Sequence, residues 1–188
     1  VRHGLELMKQ TQNVGLHALM EVNQILPWQD GKLGAFHIGF VLGPCLNASG
    51  RLDSAQRAME LLDSKTREAA VAQAAFLKQL NDSRKEMTEE YVKIAVEMIE
   101  SGPLKDDRVL VVFLPDCHES IAGIIAGRIR ERYYRPTFVL TRGEEGVKGS
   151  ARSIEGYHIY EEMTKCSSFF TKYGGHKMAA GLSMREED

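Results

Sequence analysis

Apolar positions change their spacing along the chain, and this change predicts where helices give way to strands. Residues 14–25 carry apolar side chains at helical spacing. The segment 64–101 predicts one or two long helices, because 69–80 is rich in good helix formers and 92–99 repeats apolar side chains at intervals of three and four. Gly102 and Pro103 end this helical pattern.

From residue 104 the pattern alternates between strand and helix. Residues 109–114 form a continuous apolar run, as expected for a strand covered on both faces of its sheet. The isoleucines of 121–129 give a helix face, 136–140 predict a second strand, and 157–163 predict a further helix. We therefore expect a βαβ unit with two parallel strands, which indicates an α/β fold.

Shorter segments are rich in residues that favour turns and caps. Residues 36–42 are apolar and bulky, which predicts a short strand or a loop. Residues 43–52 contain Gly, Pro, Asn and Ser and predict an irregular loop. Asp53 and Ser54 predict the cap of a helix with an apolar buried face. That predicted face comprises Ala55, Ala58, Met59 and Leu62.

These patterns divide the chain into three parts. We expect a helical unit over residues 1–63 and a connecting helix over 64–101. Residues 102–188 are predicted to form a compact domain with a mixed or parallel sheet flanked by helices. The chain begins at Val1 without a methionine, which favours a piece of a longer protein.

The composition limits the cellular compartment and the binding partners that the sequence favours. The 188 residues include 24 basic and 26 acidic side chains, so nucleic-acid binding would need a local concentration of basic groups. Three widely spaced cysteines without a CxxC pair argue against a disulfide framework and a zinc ribbon, and favour the cytoplasm. No apolar run approaches membrane-spanning length, so we expect no membrane partner.

Four polar segments are candidates for chemistry. In 43–52, Arg51 can bind a phosphate or stack on a base, although a plain inter-element loop is the alternative. In 149–153, strand alternation would place Ser150 and Arg152 on one face, where a hydroxyl and a guanidinium suit a terminal phosphate. The alternative there is a strand end with exposed polar groups.

The other two segments are 116–120 and 174–181. The first follows the buried strand, at the position where parallel sheets usually bind ligands, and its alternative is helix capping by Ser120. In the second, Gly174 and Gly175 predict a tight turn before a helix whose N-terminus would favour a phosphate. Its alternative is a turn with no ligand.

Several chemistries are excluded by their missing motifs. The sequence contains no HExxH pair, Walker loop, GxSxG elbow or GxGxxG fingerprint. No cluster of Asp and His is suited to hold two metal ions, which metal-dependent phosphodiester cleavage would need.

Taken in order, these segments resemble the DHH phosphoesterase superfamily and, within it, the RecJ-type single-stranded-DNA-specific exonucleases. Residues 174–181 match the Gly-Gly-His signature of the DHHA1 domain, and 149–153 match its Gly-Ser-x-Arg-Ser segment. Residues 118–124 and 132–136 also fit, and 43–52 match the upstream loop of these exonucleases. The resemblance covers nearly the whole chain.

The resemblance implies a two-domain nuclease. Its DHH domain would hold Mn²⁺ or Mg²⁺ and its DHHA1 domain would hold the DNA. Residues 1–63 would be the C-terminal part of the DHH domain, 64–101 the connecting helix and 102–188 the DHHA1 domain. The metal-ligand motifs and the later OB-fold would lie outside the chain. We expect this fragment to bind no metal and to be inactive alone.

A set of substrate-binding residues also follows from the resemblance. Ser150 and Arg152 would contact the 5′-phosphate or a nearby backbone phosphate, while Asn47 and Arg51 would face the strand from the other domain. His176 would lie beside the scissile region. The full set comprises Asn47, Arg51, His118, Ser150, Arg152, Gly174, Gly175 and His176.

The sequence departs from the family pattern at three positions. Cys45 stands where these exonucleases usually have Arg, which changes the expected contact of that loop with DNA. Cys117 and Ser120 replace a common Trp and Gly beside His118.

The resemblance implies an exonuclease that removes nucleotides from the 5′ end of single-stranded DNA in recombination and repair. A single-strand-binding protein and a repair helicase are the expected partners. Two alternatives stay open. One is a DHH-family phosphodiesterase for short oligonucleotides or cyclic dinucleotides. The other is a non-catalytic DHHA1 module that binds RNA or oligomerises.

Overall fold

The computed structural model describes residues 1–187, which form two compact units, unit 1 over residues 1–85 and unit 2 over residues 86–187. Unit 1 is helical. Its short helices begin with α1 (Arg2–Lys9), α2 (Val14–Val22) and α3 (Pro27–Asp30). Then come α4 (Ala35–His37), a π-helical turn (Ile38–Leu42), α5 (Gly43–Leu52) and α6 (Gln56–Leu62). The long helix α7 (Arg67–Ser101) contributes residues to both units.

The helices of unit 1 surround one apolar core. The predicted helix within 14–25 is present as α2, which begins where the Asn13 side chain accepts a hydrogen bond from the backbone N–H of Leu16 at 2.8 Å. Fully buried side chains from α2, α5, α6 and the first half of α7 build the core. They include Leu19, Met20, Cys45, Leu61 and Leu77.

Unit 2 contains a five-stranded sheet, and of the two predicted alternatives, mixed or parallel, the mixed sheet is confirmed. Its strands are β1 (Leu110–Phe113), β2 (Thr137–Gly143), β3 (Gly146–Arg152), β4 (Lys172–His176) and β5 (Ala179–Met184). Their order across the sheet is β1-β2-β3-β5-β4. Only β1 and β2 are parallel, and α8 (Glu119–Tyr133) connects them. The expected βαβ unit is therefore confirmed.

Helices cover the two faces of this sheet unequally. Helix α8 packs its buried isoleucines on one face, together with Ala95 and Ile99 of α7. Helix α9 (Ile159–Lys165) packs on the other face, near Ala151 and Leu182. The expectation that β1 is covered on both faces is wrong, because Val111 is 47% exposed. Short 3-10 turns, Pro103–Asp106 and Ser167–Phe169, complete the unit.

Three local predictions in the helical part are wrong. Residues 36–42 are helical and not a strand or loop, and 43–52 form helix α5 and not an irregular loop. Pro44 lies in the first turn of α5, where a missing N–H costs no helical hydrogen bond. The predicted buried face of α6 is wrong, because Met59 points outward with 64% exposure, whereas the predicted cap is present: Ser54 Oγ accepts a hydrogen bond from the backbone N–H of Gln56 at 3.2 Å.

Within 64–101, residues Arg67–Ser101 form one continuous helix, so of the two alternatives for this segment the single helix is confirmed. Within residues 1–187, none of the helices combines the length and apolarity that a membrane crossing requires.

Candidate functional site: an open groove on the sheet of unit 2

One face of the sheet in unit 2 carries a groove beside helix α8. Strands β3, β5 and β4 pair so that Ser150 lies opposite Gly181, which in turn lies opposite Gly174. Residues two positions away share the same face, because side chains alternate along a strand. The groove has a volume of about 490 Å³. Its lining includes Ser120, Lys148, Ser150, Lys172, Gly174 and Gly181.

The floor of the groove is formed by glycines that the fold does not require. A methyl group at Gly174 would meet no atom within 4 Å, and one at Gly181 would meet only the Gly149 carbonyl oxygen at 3.8 Å. Both residues are exposed. The missing side chains therefore leave open space above the strands, where an extended ligand could approach the backbone closely.

Ser150 and Arg152 lie together at one side of this floor, against helix α8. A methyl group at Gly123 would be 2.8 Å from Arg152 Nη2 and 3.4 Å from Ser150 Oγ, so the glycine makes room for both polar groups. Arg152 Nη1 donates a hydrogen bond to the Ala151 carbonyl at 2.8 Å. The predicted alternation is confirmed, because Ala151 is buried on the opposite face.

Two lysines border the groove on the same face. Lys148 of β3 pairs with Ser183 of β5, and Ser183 pairs in turn with Lys172 of β4. Lys148 Nζ is 2.7 Å from Glu119 Oε2, and this hydrogen bond raises the pKa of the lysine. Lys172 is exposed. The same face of the sheet therefore carries the Ser150 hydroxyl, the Arg152 guanidinium and the ammonium groups of both lysines.

His176 lies on this face as well, in the pairing row of Arg152 and Ala179. Its Nδ1 accepts a hydrogen bond from the backbone N–H of Met178 at 3.3 Å, which orients the ring at the end of β4. The prediction of a helix after Gly174 and Gly175 is wrong. These residues belong to β4, which pairs with β5 as a hairpin, so the segment offers no helix N-terminus to a phosphate.

Gly175 differs from Gly174 in its surroundings. A methyl group there would be 2.4 Å from the Ala179 carbonyl oxygen and 2.6 Å from the Ala180 Cα. The close approach of β4 and β5 therefore requires glycine at this position, and its contact with substrate stays a prediction.

His118 lies in an adjacent hollow of about 470 Å³ that shares Glu119 and Lys148 with the groove. It is the N-cap of α8, and its Nδ1 accepts a hydrogen bond from the Ser120 backbone N–H at 3.3 Å. The alternative in which Ser120 caps the helix is wrong. The Ser120 hydroxyl instead lies 2.7 Å from the same imidazole nitrogen.

Asn47 and Arg51 belong to unit 1, where they occupy one exposed face of helix α5 at a spacing of four residues. Cys45 is fully buried in the core of this unit, and burial raises the pKa of its thiol. The expected contact of residue 45 with a ligand therefore does not apply to this side chain.

Sequence reasoning missed Lys148 and Lys172. The signal was present, because each lysine stands two residues before a predicted site residue, Ser150 and Gly174, and strand alternation puts such pairs on one face. Gly123 could not be found in this way, since its role depends on how α8 packs on β3. Within residues 1–187, no group of three or more His, Cys, Asp or Glu side chains could hold a metal ion.

Known proteins are similar to this chain in sequence and in structure. Residues 106–188 match the DHHA1 domain family. The single-stranded-DNA-specific exonuclease RecJ of Bacillus subtilis is 37% identical over 190 residues, a match that covers 98% of this chain and 23% of RecJ. The Escherichia coli RecJ is 36% identical and the match covers 92% of this chain and 31% of that protein.

The solved structures agree. The crystal structure of Thermus thermophilus RecJ in complex with Mg²⁺ superposes with a TM-score of 0.83 and 30% identity, over 98% of this chain and 28% of that one. A second crystal structure of RecJ from the same organism, with Mn²⁺, gives a TM-score of 0.81. The chain spans roughly a quarter to a third of the length of these relatives. The chain therefore belongs to the RecJ family, and it corresponds to the part of RecJ that contains the DHHA1 domain.

Proposed function

We propose that this chain holds single-stranded DNA for a 5′→3′ exonuclease, with the 5′-phosphate beside Ser150 and Arg152. The observation that supports this most directly is the groove itself. Its glycine floor is open without structural need, and its lining includes the polar and cationic side chains of Ser150, Lys148 and Lys172. Guanidinium and hydroxyl groups are common ligands of DNA phosphates.

The shape of the groove suits an unpaired strand. The open space above Gly174 and Gly181 lets a backbone approach β4 and β5, and Lys148, Ser150 and Arg152 follow one another at every second residue of β3. Single-stranded DNA is bound by such positively charged grooves, with base stacking as a further source of affinity. His118, Asn47 and Arg51 are proposed as additional contacts to the same DNA.

Hydrolysis is assigned to residues outside this chain. RecJ structures carry Mg²⁺ or Mn²⁺, and in such enzymes divalent ions activate water and stabilise the leaving oxygen. The part of the chain that the structure describes, residues 1–187, offers no side-chain cluster for these ions. Its contribution is to bind the strand and to orient the terminal phosphate.

The cellular setting follows from the same family membership. We propose roles in DNA recombination and repair, with a single-strand-binding protein and a repair helicase as partners. The free thiols of Cys45, Cys117 and Cys166 support a cytoplasmic location, where cysteines stay reduced.

The proposal is tested by fluorescence anisotropy with labelled single-stranded DNA, with and without a 5′-phosphate. We expect the chain to prefer the phosphorylated strand, and Arg152→Ala to lower affinity for it by about tenfold or more, because a charge-assisted hydrogen bond contributes ~1.5–3 kcal/mol. Arg128→Ala, an exposed arginine of α8 outside the groove, is the matched control. Preference for structured RNA or a cyclic dinucleotide over DNA would refute the proposal in favour of the corresponding alternative.

A further inference from the structure

Two phenylalanines of unit 1 stack on each other while both are exposed. Phe36 is 64% exposed and Phe40 is 70% exposed. Their ring centroids are 5.2 Å apart and the ring planes differ by 22°. Neither ring belongs to the core of unit 1, although the neighbouring Ile38 and Val41 pack against that core. Exposed, adjacent aromatic rings are unusual, because each leaves a large apolar surface in water.

The pair lies on the same helical face as Asn47 and Arg51. Helix α4, the π-helical turn and α5 follow each other without a break in right-handed helical backbone. Residues 36, 40, 47 and 51 are all exposed, at helical spacing. This face extends over about 20 Å, at 1.5 Å per residue. The opposite side is buried and comprises Leu42, Cys45 and Ala48.

The charge of this segment suits a polyanion. Residues 31–52 contain Lys32, His37 and Arg51 but no Asp or Glu, although the chain has 26 acidic residues in total. No carboxylate of the segment would repel a phosphate. Aromatic rings, an amide and a guanidinium on one acid-free face are the combination that binds single-stranded nucleic acid, through base stacking and phosphate contacts.

We infer that Phe36 and Phe40 form a stacking platform for nucleobases of single-stranded DNA, with the adjoining phosphates directed toward Asn47 and Arg51. This inference rests on the proposed function, because it assigns a second contact to the same DNA. Base stacking on this pair would contribute binding free energy that does not depend on the phosphates bound in the groove of unit 2.

The test compares two strands that differ only in their bases. Binding of the 188-residue chain to a thymidine oligonucleotide is measured beside binding to an abasic strand with the same phosphates. We expect the double variant Phe36→Ala/Phe40→Ala to bind the thymidine strand at least about fivefold more weakly, since stacking contributes ~1–3 kcal/mol per base. Its affinity for the abasic strand should equal that of the wild type.

Controls separate stacking from other effects. Met59→Ala removes a similarly exposed apolar side chain from the same unit and should leave both affinities unchanged. Arg152→Ala should lower the affinity for the thymidine and the abasic strand by the same factor. If Arg152→Ala leaves both affinities unchanged, the proposed function is refuted. Circular dichroism and thermal melting should show that the double variant folds normally, because neither ring is buried.

Two results would overturn the inference while leaving the phosphate site intact. One is an equal loss of affinity, or no loss, for the thymidine and abasic strands in the double variant. The other is a dimer of the wild-type chain that becomes monomeric in the double variant with unchanged DNA binding. The pair would then be a self-association surface.

Discussion

Replacing Gly123 by alanine should displace the Arg152 guanidinium without disrupting the fold. The added methyl group would lie 2.8 Å from Nη2 and 3.4 Å from Cζ of Arg152, and 3.4 Å from Ser150 Oγ. A contact of 2.8 Å is below van der Waals separation, so Arg152 must move by several tenths of an ångström. The guanidinium is the far end of a flexible side chain, and this movement costs little.

The consequences for stability and binding can be separated. Alanine gains up to ~0.5–1 kcal/mol over glycine within a helix, which offsets much of the local crowding, so the melting temperature should change by only about 2–4 °C. The proposed contact of Arg152 with a phosphate depends on the alignment of its guanidinium, which this displacement would disturb. We expect affinity for a 5′-phosphorylated strand to fall by about tenfold, equivalent to ~1.4 kcal/mol.

Gly127 supplies the matched control one turn further along α8. A methyl group there meets no atom within 4 Å, so Gly127→Ala should raise the melting temperature slightly and leave binding unchanged. The assay is anisotropy with 5′-phosphorylated and 5′-hydroxyl strands. If Gly123→Ala binds the phosphorylated strand as tightly as the wild type, Arg152 is not confined by α8. If both alanine variants lose affinity equally, the effect comes from the helix and not from the site.

Three further predictions concern the hairpin and the thiols. Gly174→Ala should keep the wild-type melting temperature but weaken DNA binding, because its methyl group would occupy the open space of the groove. Gly175→Ala should lower the melting temperature by several degrees, because its methyl group meets backbone atoms at 2.4–2.6 Å. Cys166 is exposed and should react first with a thiol reagent at about pH 8, whereas Cys117, whose pKa burial raises to about 11, should react only on unfolding. The free energy of unfolding, measured by urea titration, should decline between about pH 9 and pH 11, because the Cys117 thiol releases its proton at a lower pH in the unfolded chain than in the folded one. The decline should be less steep in Cys117→Ala, which lacks this thiol.

Periodicity is sufficient to predict much of unit 2. The apolar run before α8 and the isoleucines within it predict a strand and an amphipathic helix, and both are present. Strand alternation alone assigns Ser150 and Arg152 to one face of β3, and the sheet has them there. These predictions succeed because they depend on neighbours within a few residues, where strand and helix periods differ clearly.

The helical part is harder to predict because composition and burial disagree there. Residues 43–52 have the composition of a loop, but Cys45, Ala48 and Ser49 are buried against neighbouring helices. Tertiary packing therefore outweighs low helix propensity in α5. The opposite disagreement occurs at Phe36 and Phe40, because apolar side chains are expected to be buried and these two are exposed.

The two adjacent glycines of β4 show most clearly what sequence alone could not resolve. As letters, Gly174 and Gly175 are equivalent, and both suggest a turn. Their difference arises from the pairing of β4 with β5, which the linear sequence does not reveal. With a period of two, one glycine faces the groove with open space above it and the other faces Ala180 at contact distance. We therefore expect that, of these two glycines, only Gly174 can be replaced with an effect on DNA binding and none on stability.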